Sequence, residues 1–260
     1  MRARFLLLAA GLAGLASSAA SQSSPEGELA FNTGLTHLRE GRTELAIDAF
    51  KKAVEADAKS PYFYKALGVA YLQYADRCPT SDKKCRDSRL DEAVSAARKA
   101  LELNPYYTDA RNDLGAALLA MGHREQGRQE LLHAYEDPMN PTPELSARNL
   151  GQAYFEEKNY PQAESWFQTA VRRNPSYVDA QIGLADALVA QNRQREAMAQ
   201  LEGAANEAPG SPALLLALGQ VYLSAGRFEA ARARLEEAAA KDPGGPAGRR
   251  AAELLRSVPR

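Results

Sequence analysis

The stretch Glu144–Tyr177, ELSARNLGQAYFEEKNYPQAESWFQTAVRRNPSY, decides the fold. Leu150, Gly151 and Tyr154 fall on one face of a first helix. Ala163, Phe167 and Ala170 fall on one face of a second. Large apolar residues at i and i+3 or i+4 give each helix a single buried stripe. Lys158-Asn159-Tyr160-Pro161 breaks the chain between them, and Asn174-Pro175 stops the second helix. The small residues Gly151, Ala163 and Ala170 stand where two helix axes must come close. A lone helical hairpin cannot bury its apolar face, so neighbours of the same kind are expected on both sides.

They are present. The place of Gly151 is taken elsewhere by Gly34, Gly68, Gly115, Ala185 and Gly219, at successive spacings of 34, 47, 36, 34 and 34 residues. The alanine opening each second helix recurs as Ala46, Ala93, Ala163, Ala197 and Ala231, with Gly127 in the third repeat. Its large partner recurs as Phe50, Leu131, Phe167, Leu201 and Leu235. The second repeat has Ala97 there, which predicts thinner packing. This order of large and small residues resembles the tetratricopeptide repeat. The resemblance implies an all-α chain of six helix-turn-helix repeats, 27–60, 61–107, 108–143, 144–177, 178–211 and 212–245, stacked as a right-handed superhelix. A capping helix and tail over 246–260, the helix at Ala247–Val258, are expected to close the last repeat. His37 stands where Tyr71, Tyr154 and Tyr222 stand in other repeats, as suits a terminal repeat.

Arg2 and Arg4 precede the apolar run Phe5–Leu15, and the small residues Ala16–Ala20 follow. This is the three-part pattern of a secretory signal peptide over 1–20, cut after Ala20, with 21–26 as a linker. The run is short for a span, which needs about 20 residues; an uncleaved N-terminal anchor is the rival reading. No Cys lies near the cut, so export to the periplasm without a lipid anchor is expected. Loss of Arg2 and Arg4 takes the formal charge from −1 to −3. A nearly neutral, slightly acidic chain argues against nucleic acid, whose binding needs clustered Lys and Arg.

The 13-residue excess in the second repeat falls between a helix expected to end near Tyr74 and another expected to start near Leu90. It holds the only cysteines, Cys78 and Cys85, in CPTSDKKC. In an exported protein this pair reads as a disulfide stapling a polar loop. A metal site would need further ligands nearby, and a redox pair would favour Cys-x-x-Cys. The junction Asp137–Pro143 carries three prolines, which preclude helix there.

No nucleophile–base or metal-ligand constellation surrounds His37, His123 or His133, so no enzyme activity, cofactor, metal or small-molecule substrate is expected. The expected activity is protein binding. On the first helix of each repeat one row reads Leu38, Leu72, Leu119, Phe155, Val189 and Leu223. Beside it lie Phe31, Lys65, Asn112, Arg148, Ile182 and Leu216. The row is either packing between repeats or a groove for an apolar or amphipathic partner segment. Asp109, Asp179 and Asp186 on the same face disfavour the Lys/Arg/Asn clamp by which some tetratricopeptide domains hold a C-terminal carboxylate.

The segment Asp137–Pro175, followed by Leu184–Asp186, narrows the resemblance. Asp137, Pro138, Pro141, Asn149, Leu150 and Gly151 match the Asp-Pro-x-x-Pro junction and Asn-Leu-Gly of the type IV pilus pilotin family, the PilF/PilW/Tgl group. That resemblance implies a periplasmic six-repeat protein that binds an outer-membrane secretin and assists its assembly into a multimer. Members of that family are typically outer-membrane lipoproteins, and the lipid-bearing Cys has no counterpart in this sequence. A generic periplasmic adaptor for envelope or cytochrome-maturation complexes, and a regulatory subunit of an enzyme, are the other readings.

Overall fold

The computed structural model describes residues 24–259, so the signal-peptide reading of 1–20 lies outside the described residues. Thirteen helices follow one another among those residues: α1 (Pro25–Arg39), α2 (Thr43–Ala56), α3 (Pro61–Arg77), α4 (Lys83–Leu103), α5 (Thr108–Ala120), α6 (Arg124–Glu136), α7 (Pro143–Glu156), α8 (Tyr160–Arg173), α9 (Val178–Ala190), α10 (Gln194–Glu207), α11 (Pro212–Ser224), α12 (Phe228–Lys241) and α13 (Pro246–Leu255). They pair as six hairpins and a terminal helix, the all-α repeat array the spacing predicts. The chain divides at Pro141/Thr142 into two compact units. α1–α6 belong to the first and α7–α13 to the second. The division falls inside the proline-rich junction.

Five of the six hairpins turn in the same way. Gly41, Gly122, Lys158, Asn192 and Gly226 each adopt a left-handed backbone, with φ between 61° and 89°. In the first, the Gly41 amide donates to the Leu38 carbonyl and the Arg42 amide to His37. The same two bonds recur after α5, α7, α9 and α11. This pairing satisfies carbonyls that the helix end would otherwise leave free.

The small residues sit under the large ones. A Cβ added to Gly34 would stand 2.5 Å from the Phe50 ring, and one added to Gly151 2.7 Å from Phe167. Phe167, 1% exposed, is wedged from the other side by Gly183 of α9, where a Cβ would come within 2.5 Å of the same ring. Gly68 is the exception. Its nearest neighbours would be the Ala93 carbonyl at 3.5 Å and the Ala96 Cβ at 3.6 Å, because Ala97 replaces the large partner.

The second hairpin departs from the expected loop. α3 continues to Arg77 and α4 begins at Lys83, so the excess residues are mostly helix rather than loop. Asp82 caps α4 by accepting from the Cys85 amide at 2.9 Å. Lys83, Lys84, Arg86 and Arg89 are good helix formers on exposed or half-exposed positions, so helix forms without an apolar stripe to announce it. Cys78 and Cys85 are disulfide-bonded, with Cα atoms 5.9 Å apart. Neither sulfur is therefore available to a metal. The lengthened α3 grips the first hairpin. The Tyr74 hydroxyl donates to Glu44 at 2.6 Å, Arg77 donates to the Gly41 carbonyl, and the Arg89 guanidinium lies 5.1 Å from the Tyr74 ring centre.

At the other end α13 packs on α11 and α12. Asp242 accepts from the amides of Ala247 and Gly248, fixing the turn into α13. Ala251 and Val258 are buried with Leu215, Leu235 and Ala238. Arg232 then donates to the carbonyls of Val258 and Pro259 and ties down the segment beyond α13.

Candidate functional site

The first helix of each repeat carries the candidate binding row, and the two units present it differently. In the first unit two of the row's three residues, Leu38 and Leu72, are closed off. Leu38 is 7% exposed and Leu72 5%, and both belong to the core cluster. Phe31 rests between the rings of Phe50 and Phe63, at centroid distances of 5.7 and 5.3 Å. Leu119 is half-buried and lies over Gly127 of α6. In the neighbouring row Lys65 and Asn112 are buried as well. Lys65 Nζ lies 3.9 Å from Asp113, whose carboxyl is pushed up to about 6 by burial, with Lys65 opposing and Asp109 adding to the rise. Leu38 and Leu72 are thus core packing, while Phe31 and Leu119 stay half-buried.

In the second unit the row stays partly open. α7, α9 and α11 lie side by side. On α9 the buried face is Ala180, Leu184, Ala185, Ala187 and Leu188. Asp179, Ile182, Asp186 and Val189 are the less buried stripe, at spacings of three, four and three. Leu145, Arg148, Gln152 and Phe155 form the same stripe on α7, and Ala213, Leu216, Gln220 and Leu223 on α11. Residues at this spacing share one helix face. All twelve keep some accessible surface, so six of the ten predicted groove residues come together here: Arg148, Phe155, Ile182, Val189, Leu216 and Leu223.

Tyr154 and Phe155 divide the helix surface less sharply than their 100° separation suggests. Both are half-buried and both pack on the second unit's core cluster. Phe155 also meets the Tyr160 ring at 5.4 Å. Arg148 is held in place, its side chain 12% exposed, by Asn149 Oδ1 at 2.9 Å and Asp179 at 3.8 Å. It is a fixture of the stripe rather than a free cation. Leu145, Gln152 and Gln220 escaped the sequence reading. The spacing that located Arg148 and Phe155 would have found them one turn along.

Tetratricopeptide repeat models match residues 6–73, 112–178 and 148–212, and a second such model matches 195–255. Type IV pilus assembly protein PilF of Pseudomonas aeruginosa is 28% identical over 156 residues, 60% of this chain. That match spans 56% of PilF's length. The solved structure of Pseudomonas aeruginosa PilF superposes with a TM-score of 0.62 at 22% identity, over 89% of this chain and 97% of the solved chain. PilW, described as a widely conserved type IV pilus biogenesis factor, gives 0.63 at 17%, over 87% and 98%. A tetratricopeptide repeat protein from Parabacteroides merdae gives 0.65 at 18%, over 88% and 83%. At these identities the superpositions speak for the fold, and pilus and non-pilus relatives share it equally. Six matched hairpins, the family models along most of the chain and the terminal cap agree: the chain belongs to the tetratricopeptide repeat family, with distant similarity to PilF and PilW.

Proposed function

We propose that this protein is a periplasmic scaffold that binds an outer-membrane secretin and assists its assembly, as a pilotin does. The observation that carries the reading is the partly open stripe of α7, α9 and α11. It displays Phe155, Ile182, Val189, Leu216 and Leu223 to a partner on helices fixed by a packed core. An aromatic flanked by aliphatic residues is the kind of anchor that dominates interfaces. The similarity to PilF and the Asp137–Gly151 junction favour a pilus secretin over other envelope partners. A disulfide fits an oxidising compartment.

The test is co-purification from the native envelope, followed by titration of the full chain against the secretin it brings down. Phe155→Arg is expected to weaken that binding at least about tenfold, or roughly 1.4 kcal/mol. Its melting temperature should stay well above that of Phe167→Ala, which empties a fully buried site and costs about 3–5 kcal/mol. Recovery of a different envelope complex without secretin would replace the pilotin role with that of a general adaptor. If Phe155→Arg melts like Phe167→Ala, the stripe is packing and the binding face lies elsewhere.

A further inference from the structure

The stripe of the second unit is not uniformly apolar. Its third position reads Gln152 on α7, Asp186 on α9 and Gln220 on α11, a polar row across three adjacent helices. On one side of it stand Arg148, Ile182 and Leu216, and on the other Phe155, Val189 and Leu223. Asp186 is thus the central position of a face whose flanks are mostly apolar.

Asp186 is also the acid of this face without a partner. Asp179 is held by Arg148, and Glu156 accepts from Gln152. Asp186 has no ion pair and no side-chain hydrogen bond among the described residues, and its side chain is exposed. Burial nevertheless pushes its carboxyl up to about 6. A carboxylate in these surroundings loses part of its hydration and receives no cation in return.

We propose that this face selects a partner segment by charge as well as by apolar contact: an amphipathic helix with one Lys or Arg set among apolar side chains, the cation seated on Asp186. Along α9 the order Ile182, Asp186, Val189 is apolar, acidic, apolar at helical spacing. A partner helix lying beside it meets this order with apolar, basic, apolar at the same spacing. Phe155 on one side and Leu216 and Leu223 on the other cover the flanks. The Asp186 carboxylate then supplies the charge-assisted bond that fixes register, while the apolar rows supply contact area. This deepens the scaffold reading by naming the chemistry its surface accepts.

Three synthetic 18-residue helical peptides test it. Each has leucines at i, i+3 and i+7 around one central position, which is Lys, norleucine or Glu. They are titrated against the full chain at low salt. The Lys peptide is expected to bind tightest, at least about tenfold tighter than the Glu peptide, which corresponds to about 1.4 kcal/mol. Asp186→Asn should shrink that ratio to about twofold, and Asp186→Lys should invert it. Because Asp186 is exposed, both variants should melt within a few degrees of the parent, which circular dichroism checks. Equal binding of the Lys and Glu peptides overturns the proposal. So does a preference that survives Asp186→Asn, or no binding by any of the three. Failure of the secretin experiment with success of this one would leave the face as a docking site for a different basic amphipathic partner.

Discussion

Replacing Gly68 and Gly151 with alanine, one at a time, should move stability in opposite directions. Both lie mid-helix at the same repeat position, so alanine brings both the same intrinsic gain of about 1 kcal/mol over glycine. At Gly68 the new methyl would meet its nearest neighbours at 3.5, 3.6 and 3.7 Å, which is ordinary contact. The full gain should survive, about 0.5–1 kcal/mol, or roughly 1–4 °C in melting temperature. At Gly151 the methyl would stand 2.7–2.9 Å from three atoms of the Phe167 ring. The ring cannot retreat, because Gly183 holds its other side at the same close range. Overpacking of this kind costs about 1–3 kcal/mol, and the wedged ring argues for the upper end. The net loss should be about 1–2 kcal/mol. Urea melts followed by circular dichroism measure both, and amide exchange along α7 and α8 localises the second. Combining Gly151→Ala with Phe167→Leu should recover part of the loss, since the smaller side chain frees the space. A destabilised Gly68→Ala, a neutral Gly151→Ala, or strict additivity in the double variant would refute the packing argument.

Cys85→Ser should lower stability by about 2–3 kcal/mol in the chain-entropy account of so small a loop. Amide protection should be lost over Lys83–Arg89, while helical content stays nearly unchanged. The same global protection with and without reductant would count against this. The half-buried Asp113, crowded by protein, makes the first unit sensitive to pH. Its folded pKa of about 6 lies above the ordinary value of 3.8, so the folded state holds a proton that the unfolded state has released between those values. Stability should therefore rise as pH falls from 7.5 toward about 4.5, by at most about 3 kcal/mol from this group. Asp113→Asn should give a shallower slope over that window, and an unchanged slope would assign the effect to other groups.

How far the sequence is legible depends on which residues a fold must bury. Gly34, Gly115, Gly151 and Gly219, each set against Phe50, Leu131, Phe167 and Leu235, announce two helices in close contact. No other arrangement accommodates that alternation of sizes, and the helices appear where the spacing puts them. The lengthening of α3 and α4 was not legible. Asp76 to Arg89 holds no apolar stripe, and an exposed polar helix and a polar loop have the same composition. The binding row was only half legible. Leu38, Leu72, Phe155 and Val189 are chemically alike, yet the first two are core and the last two are partly open. The difference lies in what packs on them: Leu38 and Leu72 sit within the first unit's core cluster, whereas Phe155 and Val189 lie at the margin of the second unit's. Such packing comes from residues tens of positions away. Asp186 was visible only as a reason to disfavour a carboxylate-binding clamp; its isolation needed three dimensions.

The second hairpin explains why a disulfide stands where it does. In the other five, a left-handed residue and two backbone bonds lock the turn directly against the packed helix ends. That lock works only when the second helix starts within about three residues of the first helix's end. In the second hairpin five residues, Cys78 to Asp82, separate α3 from α4, and no left-handed residue is among them. The first turns of α4 also lie beyond the apolar stripe, which begins at Leu90. The helix start then has neither the left-handed lock nor core contact of its own. What holds it is the Asp82 cap, worth about 1 kcal/mol, the Asp82 amide's bond to the Pro79 carbonyl, Arg89 over the Tyr74 ring, and the covalent link. The link joins the residue that caps α3 to the first turn of α4, so it restrains the same ends that the backbone lock restrains elsewhere. The lengthened α3 in turn carries Tyr74 and Arg77 onto the first hairpin. The disulfide is thus a substitute for a turn the insertion removed, and it steadies the contacts that join the first two repeats.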